Sequence, residues 1–124
     1  MMGGGNWHQL AADWVMNSFI YDDGELRWLV NDGKLDVPYN KDEWKEGLRY
    51  LNQLVSEGLF DPLTFTQDGQ AFKSVATAGD SNTIGVVCTA GMGQLFTTSM
   101  TDRKAEYVPL DPVVGPEGVQ WAAY

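Results

Sequence analysis

The stretch VVCTAGMGQLF, residues 86–96, runs from an apolar, β-prone segment through Gly91-Met92-Gly93 into an amphipathic start. Two glycines spaced this way between a strand and a helix are what a dinucleotide site uses, because backbone N–H groups must approach a pyrophosphate. The third glycine of that motif is due at position 96, where Phe96 stands. Its bulk spoils the close helix–strand packing that the third glycine allows. The later carboxylates Glu106 and Asp111 follow a new strand and leave a cramped βαβ unit. Two other readings fit the residue types better. One is a loop whose amides and flexible Met92 face a neutral ligand. The other is a plain strand–helix bend.

Asn6 and Trp7 are the second constellation, next to the glycine run at 3–5. A Trp just before a helix packs onto the first turn as a hydrophobic staple. Beside an amide side chain, the same indole also suits a sugar, whose CH groups stack while its hydroxyls hydrogen-bond. Cys88 is the one cysteine and His8 the one histidine, far apart in sequence. That excludes a disulfide within the chain and a thiolate metal cluster, and makes Cys88 a small buried hydrophobe rather than a nucleophile. Asp22/Asp23 and Asp42/Glu43 stand at element ends, where acids act as caps or solvated charges. The acids near Gly24, Gly33 and Gly69 lack the ligand positions of a calcium loop. None of Ser56, Ser74 and Ser99 lies in a nucleophile elbow. No catalytic residue, metal or cofactor is expected.

Charge narrows the partners. With 8 Lys and Arg against 17 Asp and Glu, the net charge is −9. Phosphate backbones and anionic membranes both require clustered cations, so nucleic acid is excluded as a partner. At 124 residues the chain is about one domain of material, and its 44% hydrophobic content can fill a core. No segment is long enough to span a bilayer. The start, MMGGGN, has neither the cationic nor the apolar region of a signal peptide.

The elements that must position these residues alternate. Leu10, Ala11, Trp14, Val15 and Phe19 make one apolar stripe of a helix that Asp22-Asp23-Gly24 ends. Asn31-Asp32-Gly33-Lys34 predicts a hairpin turn, and Pro38 stops its second strand or sets it at an edge. The spacing of Trp44, Leu48, Leu51, Leu54 and Val55 predicts a long helix, opened by Asn40 with Glu43 and closed by Gly58. A shorter helix is expected at about 68–78, then a strand over 83–90 buried on both faces. After it come a helix from Gly91 onward and a last strand near 105–110. The class is α/β.

In this order, the segment FIYDDG, the NDGK hairpin, EGLRYLNQLVSEGLFDP, TFTQD with AF, the IGVV strand and the closing PL-x-P with GPEGVQ resemble extracellular solute-binding proteins of the family 1 type. These are the ligand receptors of ABC importers. The similarity extends to lipoprotein-like members of Gram-positive bacteria and, more distantly, to the maltose-binding-protein type. It implies a type II periplasmic-binding-protein-like lobe, with helices on a small mixed sheet plus a hairpin. It also implies a two-lobed parent with a hinged cleft, of which residues 1–124 form most of one lobe as a single domain. The start at Met1 and the end at Tyr124 then fit an internal fragment. The resemblance sets Asn6 and Trp7 on one cleft rim and Ala90, Gly91 and Met92 on another, with Trp121 near the hinge crossing. Met92 stands where sugar-binding relatives carry an aromatic. The implied work is non-enzymatic binding of a small solute, a sugar or oligosaccharide, and its delivery to a membrane permease. The receptor would be monomeric and extracytoplasmic, lipid-anchored at the cell surface or periplasmic. A small nucleotide-binding α/β enzyme using the 86–96 turn and an interaction domain with an apolar tail are the competing readings.

Overall fold

The computed structural model describes residues 1–6 and 9–122. They form two compact units, one of Met1–Ala11 with Glu57–Leu110, the other of Ala12–Ser56 with Asp111–Tyr124. Helices combine with two small two-stranded sheets, the α/β class expected from the alternation of elements.

In the first unit, β1 (Met2–Gly3) pairs in parallel with a strand at Val86–Val87, in the register Met2 to Val86 and Gly3 to Val87. Met2 also bridges Phe60 in parallel, so β1 lies between Phe60 and Val86–Val87. Over residues 83–90 regular strand is limited to that pair, and Val86 is 38% exposed, so burial on both faces is not realised. Ile84 and Cys88 are the buried positions of the run. They flank the ladder, and Ile84 joins Phe72, Ala76, Leu95 and Phe96 in the unit's core. The sequence TQDGQAF folds because Asp68 accepts the Ala71 N–H at 2.7 Å, capping a helix at Gly69–Ala76. The stretch after Gly91 departs from expectation. It makes a three-residue 3₁₀ turn at Met92–Gln94, and α-helix starts only at Thr101–Ala105. No strand forms over 105–110, where Pro109 withholds a ladder donor.

The second unit opens with α1 (Ala11–Met16), whose first residue belongs to the first unit. It is shorter than the apolar stripe suggests. The Asn17 amide donates to Asp13 O and Asp22 O at 2.9 and 2.7 Å and ends the helix in a turn. Trp14 is 46% exposed, while Met16 takes a buried place against Gly47. Strands β2 (Leu29–Asn31) and β3 (Lys34–Asp36) form the expected hairpin. Asp32 and Gly33 have φ of 52° and 75°, the pair of left-handed residues a type I′ turn requires. Pro38 ends the second strand by starting a 3₁₀ turn that takes in Asn40. Asn40 is therefore not the cap of α2, which runs from Asp42 to Ser56. Leu51 is buried and Trp44, Leu54 and Val55 are half-buried, but Leu48 is exposed. Gly58, φ 70°, follows the helix as expected. With α1 and α2 named, the helices of the first unit are α3 (Gly69–Ala76) and α4 (Thr101–Ala105), and its second strand is β4 (Val86–Val87).

Candidate functional site

Three parallel segments of the first unit, at Phe60, β1 and β4, point their carboxyl ends the same way. In open α/β sheets ligands bind outside the carboxyl ends of the strands, where connections from adjacent strands part to opposite faces. Here the edge releases residues 61–64, 4–6 and 88–92. Asn6 and the Ala90–Met92 turn therefore come from neighbouring strands, although no hydrogen bond joins them among the described residues.

The loop after β1 is packed backbone against backbone. Gly4 N–H donates to Thr64 Oγ1 at 3.1 Å, and the Gln67 amide donates to Gly4 O at 2.6 Å. Gly5 N–H donates to Gln9 O at 2.9 Å. A Cβ on Gly4 would stand 2.2 Å from Gln9 O, which is why the position needs glycine. Asn6, exposed, uses Oδ1 to accept the Gly69 N–H at 2.8 Å. It thus tethers the loop to the first residue of α3. Trp7 and His8 lie outside the described residues. Gln9 carries no motif or spacing signal in the sequence. It is 6% exposed, and its Oε1 is buried without a hydrogen-bond partner. Only the fold, by bringing α3 against the loop, reveals it.

In the second loop Ala90 and Gly91 are exposed, and half-buried Met92 packs on the core formed by Phe72, Ile84, Leu95 and Phe96. Met92 is thus anchored inward as well as partly open to solvent. Thr89 Oγ1 donates toward Gly91 O at 3.1 Å and Gln94 Oε1 at 2.9 Å, and it receives the Gly91 N–H at 3.4 Å. Gly91 is extended, φ −177°, and a Cβ at Gly91 or Gly93 would meet nothing within 4 Å. Neither glycine is demanded by strain or crowding, so the surface there is open. A phosphate cradle needs an α-helix opening at this turn to supply aligned N–H groups. The three-residue 3₁₀ turn supplies no such helix. Beside it lies a depression of about 440 Å³ lined by Gly93, Phe96, Thr97, Thr98, Thr101 and Lys104. Its threonines belong to a TTS-x-T run that carried no recognisable spacing signal.

Trp121 belongs to the second unit. It is 54% exposed, stacks edge-on against Tyr21 with centroids 6.0 Å apart, and donates its backbone N–H to Asn17 O at 3.1 Å. In the same unit Arg27 donates to Asp22 Oδ2 and Asp13 Oδ1 at 2.5 and 2.8 Å and lies over the Trp44 ring. Burial is the main cause that pushes Asp22 up to about 6. Burial also pushes the Cys88 thiol up to about 12, which leaves it protonated and inert as a nucleophile. Among the described residues no three or more His, Cys, Asp or Glu side chains are grouped to hold a metal. No described helix is long and apolar enough to cross a membrane.

Over 104 residues, 84% of its length, the chain is 30% identical to the fructooligosaccharide ABC transporter substrate-binding protein FusA of Streptococcus pneumoniae serotype 4 (strain ATCC BAA-334 / TIGR4). The matched region is 18% of that protein, so the chain spans under a fifth of the length of this relative. No family model matches the chain, and no solved structure matches it. The similarity is thus to an ABC transporter substrate-binding protein, and the α/β architecture is compatible with a fragment of such a protein's lobe.

Proposed function

We propose that this chain is part of one lobe of the solute-binding component of an ABC importer, and that its solute is a carbohydrate. The observation that carries the reading is the carboxyl edge of the parallel segments, where the Gly4–Asn6 and Ala90–Met92 loops leave adjacent strands. The similarity to a fructooligosaccharide-binding protein supports the choice of ligand class. Asn6, Trp7, Ala90, Gly91 and Met92 would face the solute, Trp121 would lie near a hinge, and the rest of the site would come from chain beyond these residues. Binding would shift the parent from open to closed, and a membrane permease would read the closed form. The work is binding, not catalysis. The receptor would be monomeric and extracytoplasmic, either lipid-anchored or periplasmic.

Tryptophan fluorescence of the 124-residue chain, titrated with fructooligosaccharide and separately with NADH, tests this reading. Part of a site should bind the sugar with a dissociation constant on the order of 1 mM and leave NADH unbound. Saturable binding of NADH without sugar binding would replace it with the nucleotide reading.

A further inference from the structure

The buried, unpartnered oxygen of Gln9 lies at the carboxyl edge of β1, on a backbone tied at both of its hydrogen-bonding groups. Gln9 N–H donates to Asn6 O at 3.3 Å, and Gln9 O accepts from Gly5 at 2.9 Å. Its side chain reaches the start of α3. A Cβ built on Gly69 would sit 2.9 Å from Gln9 Oε1 and 3.4 Å from Asn6 Oδ1. Two side-chain carbonyl oxygens thus converge on the first residue of the helix. Asn6 Oδ1 receives the Gly69 N–H, and Gln9 Oε1 receives nothing. A buried acceptor left unmade costs free energy, and native structures leave few of them. Exposed Asn6 and Gln70 stand next to Gly69, while Gln9 Oε1 itself is buried.

The chemistry of the missing partner follows from its neighbours. An anion would meet the negative ends of two carbonyl dipoles. A metal cation would stand at the positive end of the α3 dipole with only the Asp68 carboxylate beside it, no three acidic, His or Cys side chains being grouped there among the described residues. A neutral hydroxyl does neither. It donates to the carbonyl oxygen and can accept from the Gln70 N–H, since Asn6 and Asp68 already take those of Gly69 and Ala71. We propose that Gln9 reads the bound solute, its Oε1 accepting a hydrogen bond from a solute hydroxyl at the first turn of α3. This rests on the solute-binding reading of the same edge and adds to it a residue and the group that residue recognises.

The test compares the wild-type chain with Gln9→Met, which removes the acceptor at similar volume, and Gln9→Glu, which keeps one. Fructooligosaccharide is the probe in each titration, and far-UV circular dichroism checks the fold. Gln9→Met should weaken binding about tenfold, the loss expected for one buried hydrogen bond, while Gln9→Glu retains affinity within about threefold. In the wild type, the Gln9 side-chain carboxamide carbon should shift with the same dissociation constant as the Gly69 amide. That signal decides the matter even if Gln9→Met fails to fold. Wild-type binding that Gln9→Met leaves unchanged, or that leaves the Gln9 carboxamide unmoved, overturns this inference alone and assigns the position to a water. The absence of any saturable response from the wild type overturns the solute-binding reading together with it.

Discussion

Raising the pH from 4.5 to 7 should weaken the fold through one residue, Asp22. Its side chain is wholly buried, and burial is the largest cause that lifts it from an ordinary aspartate's 3.8 to about 6. The Gly24 N–H and the Arg27 charge pull the other way, and the neighbouring Asp13 adds to the rise. The groups facing it are Asp13, Arg27 and, through the Arg27 N–H, Asp23, with Trp44 beneath the guanidinium. Two buried carboxylates share one guanidinium, and Asp13 Oδ2 has no partner of its own. Between pH 3.8 and 6 the folded chain therefore holds a proton that the unfolded chain releases. The stability this group contributes is complete below 3.8 and is lost as pH rises through about 6. Across pH 4.5 to 7 the loss amounts to about 2 kcal/mol. Asp22→Asn cannot titrate and should lack that slope. Urea unfolding of both chains, followed by tryptophan fluorescence over this range, gives the difference directly. The wild type should lose about 2 kcal/mol relative to the variant as pH rises. A difference that stays constant, or that moves in the wild type's favour, would refute the reasoning.

Further outcomes follow from single contacts. Arg103 donates to the backbone oxygens of Ala76, Thr77, Gly79 and Ser81 and to Asn82 Oδ1, closing the carboxyl end of α3. Arg103→Ala should therefore destabilise by about 2–3 kcal/mol in urea melts, with Arg103→Lys recovering only part. Gly4→Ala, whose Cβ would stand 2.2 Å from Gln9 O, should cost about 3 kcal/mol or more by the same assay. Gly91→Ala points into open space and should leave stability within about 0.5 kcal/mol. Cys88 should resist iodoacetamide at pH 8 in the native chain and react readily in urea, as mass spectrometry would register.

Much of the scaffold is legible in residue types because its signals are local. Asp32-Gly33 sets the hairpin through two positive φ angles that few other pairs accept. The interior of α2 follows its 3.6-residue spacing, and Gly58 marks the residues just past its end. Its start does not follow the capping pattern at Asn40, because Pro38 two residues earlier commits that stretch to a 3₁₀ turn. The 83–90 run looks like a long buried strand, yet ladder length depends on the partner. The glycine-rich β1 offers two residues to pair with. The stretch after Gly91 carries helical spacing, but Leu95 and Phe96 are drawn into the core first and α-helix resumes only at Thr101. At the candidate site, the glycines and Asn6 could be seen in the sequence. Gln9 could not, since its significance lies in where α3 arrives, 60 residues later in the chain.

The most direct measurement is an amide NMR titration of this chain with fructooligosaccharide, carried to about 10 mM, roughly tenfold above the dissociation constant expected of part of a site. Solute binding at the carboxyl edge of the parallel segments requires saturable shifts concentrated on Asn6, Gln9, Gly69 and residues 88–93. Shifts confined to the hairpin at 29–36, or none through the end of the titration, would contradict it.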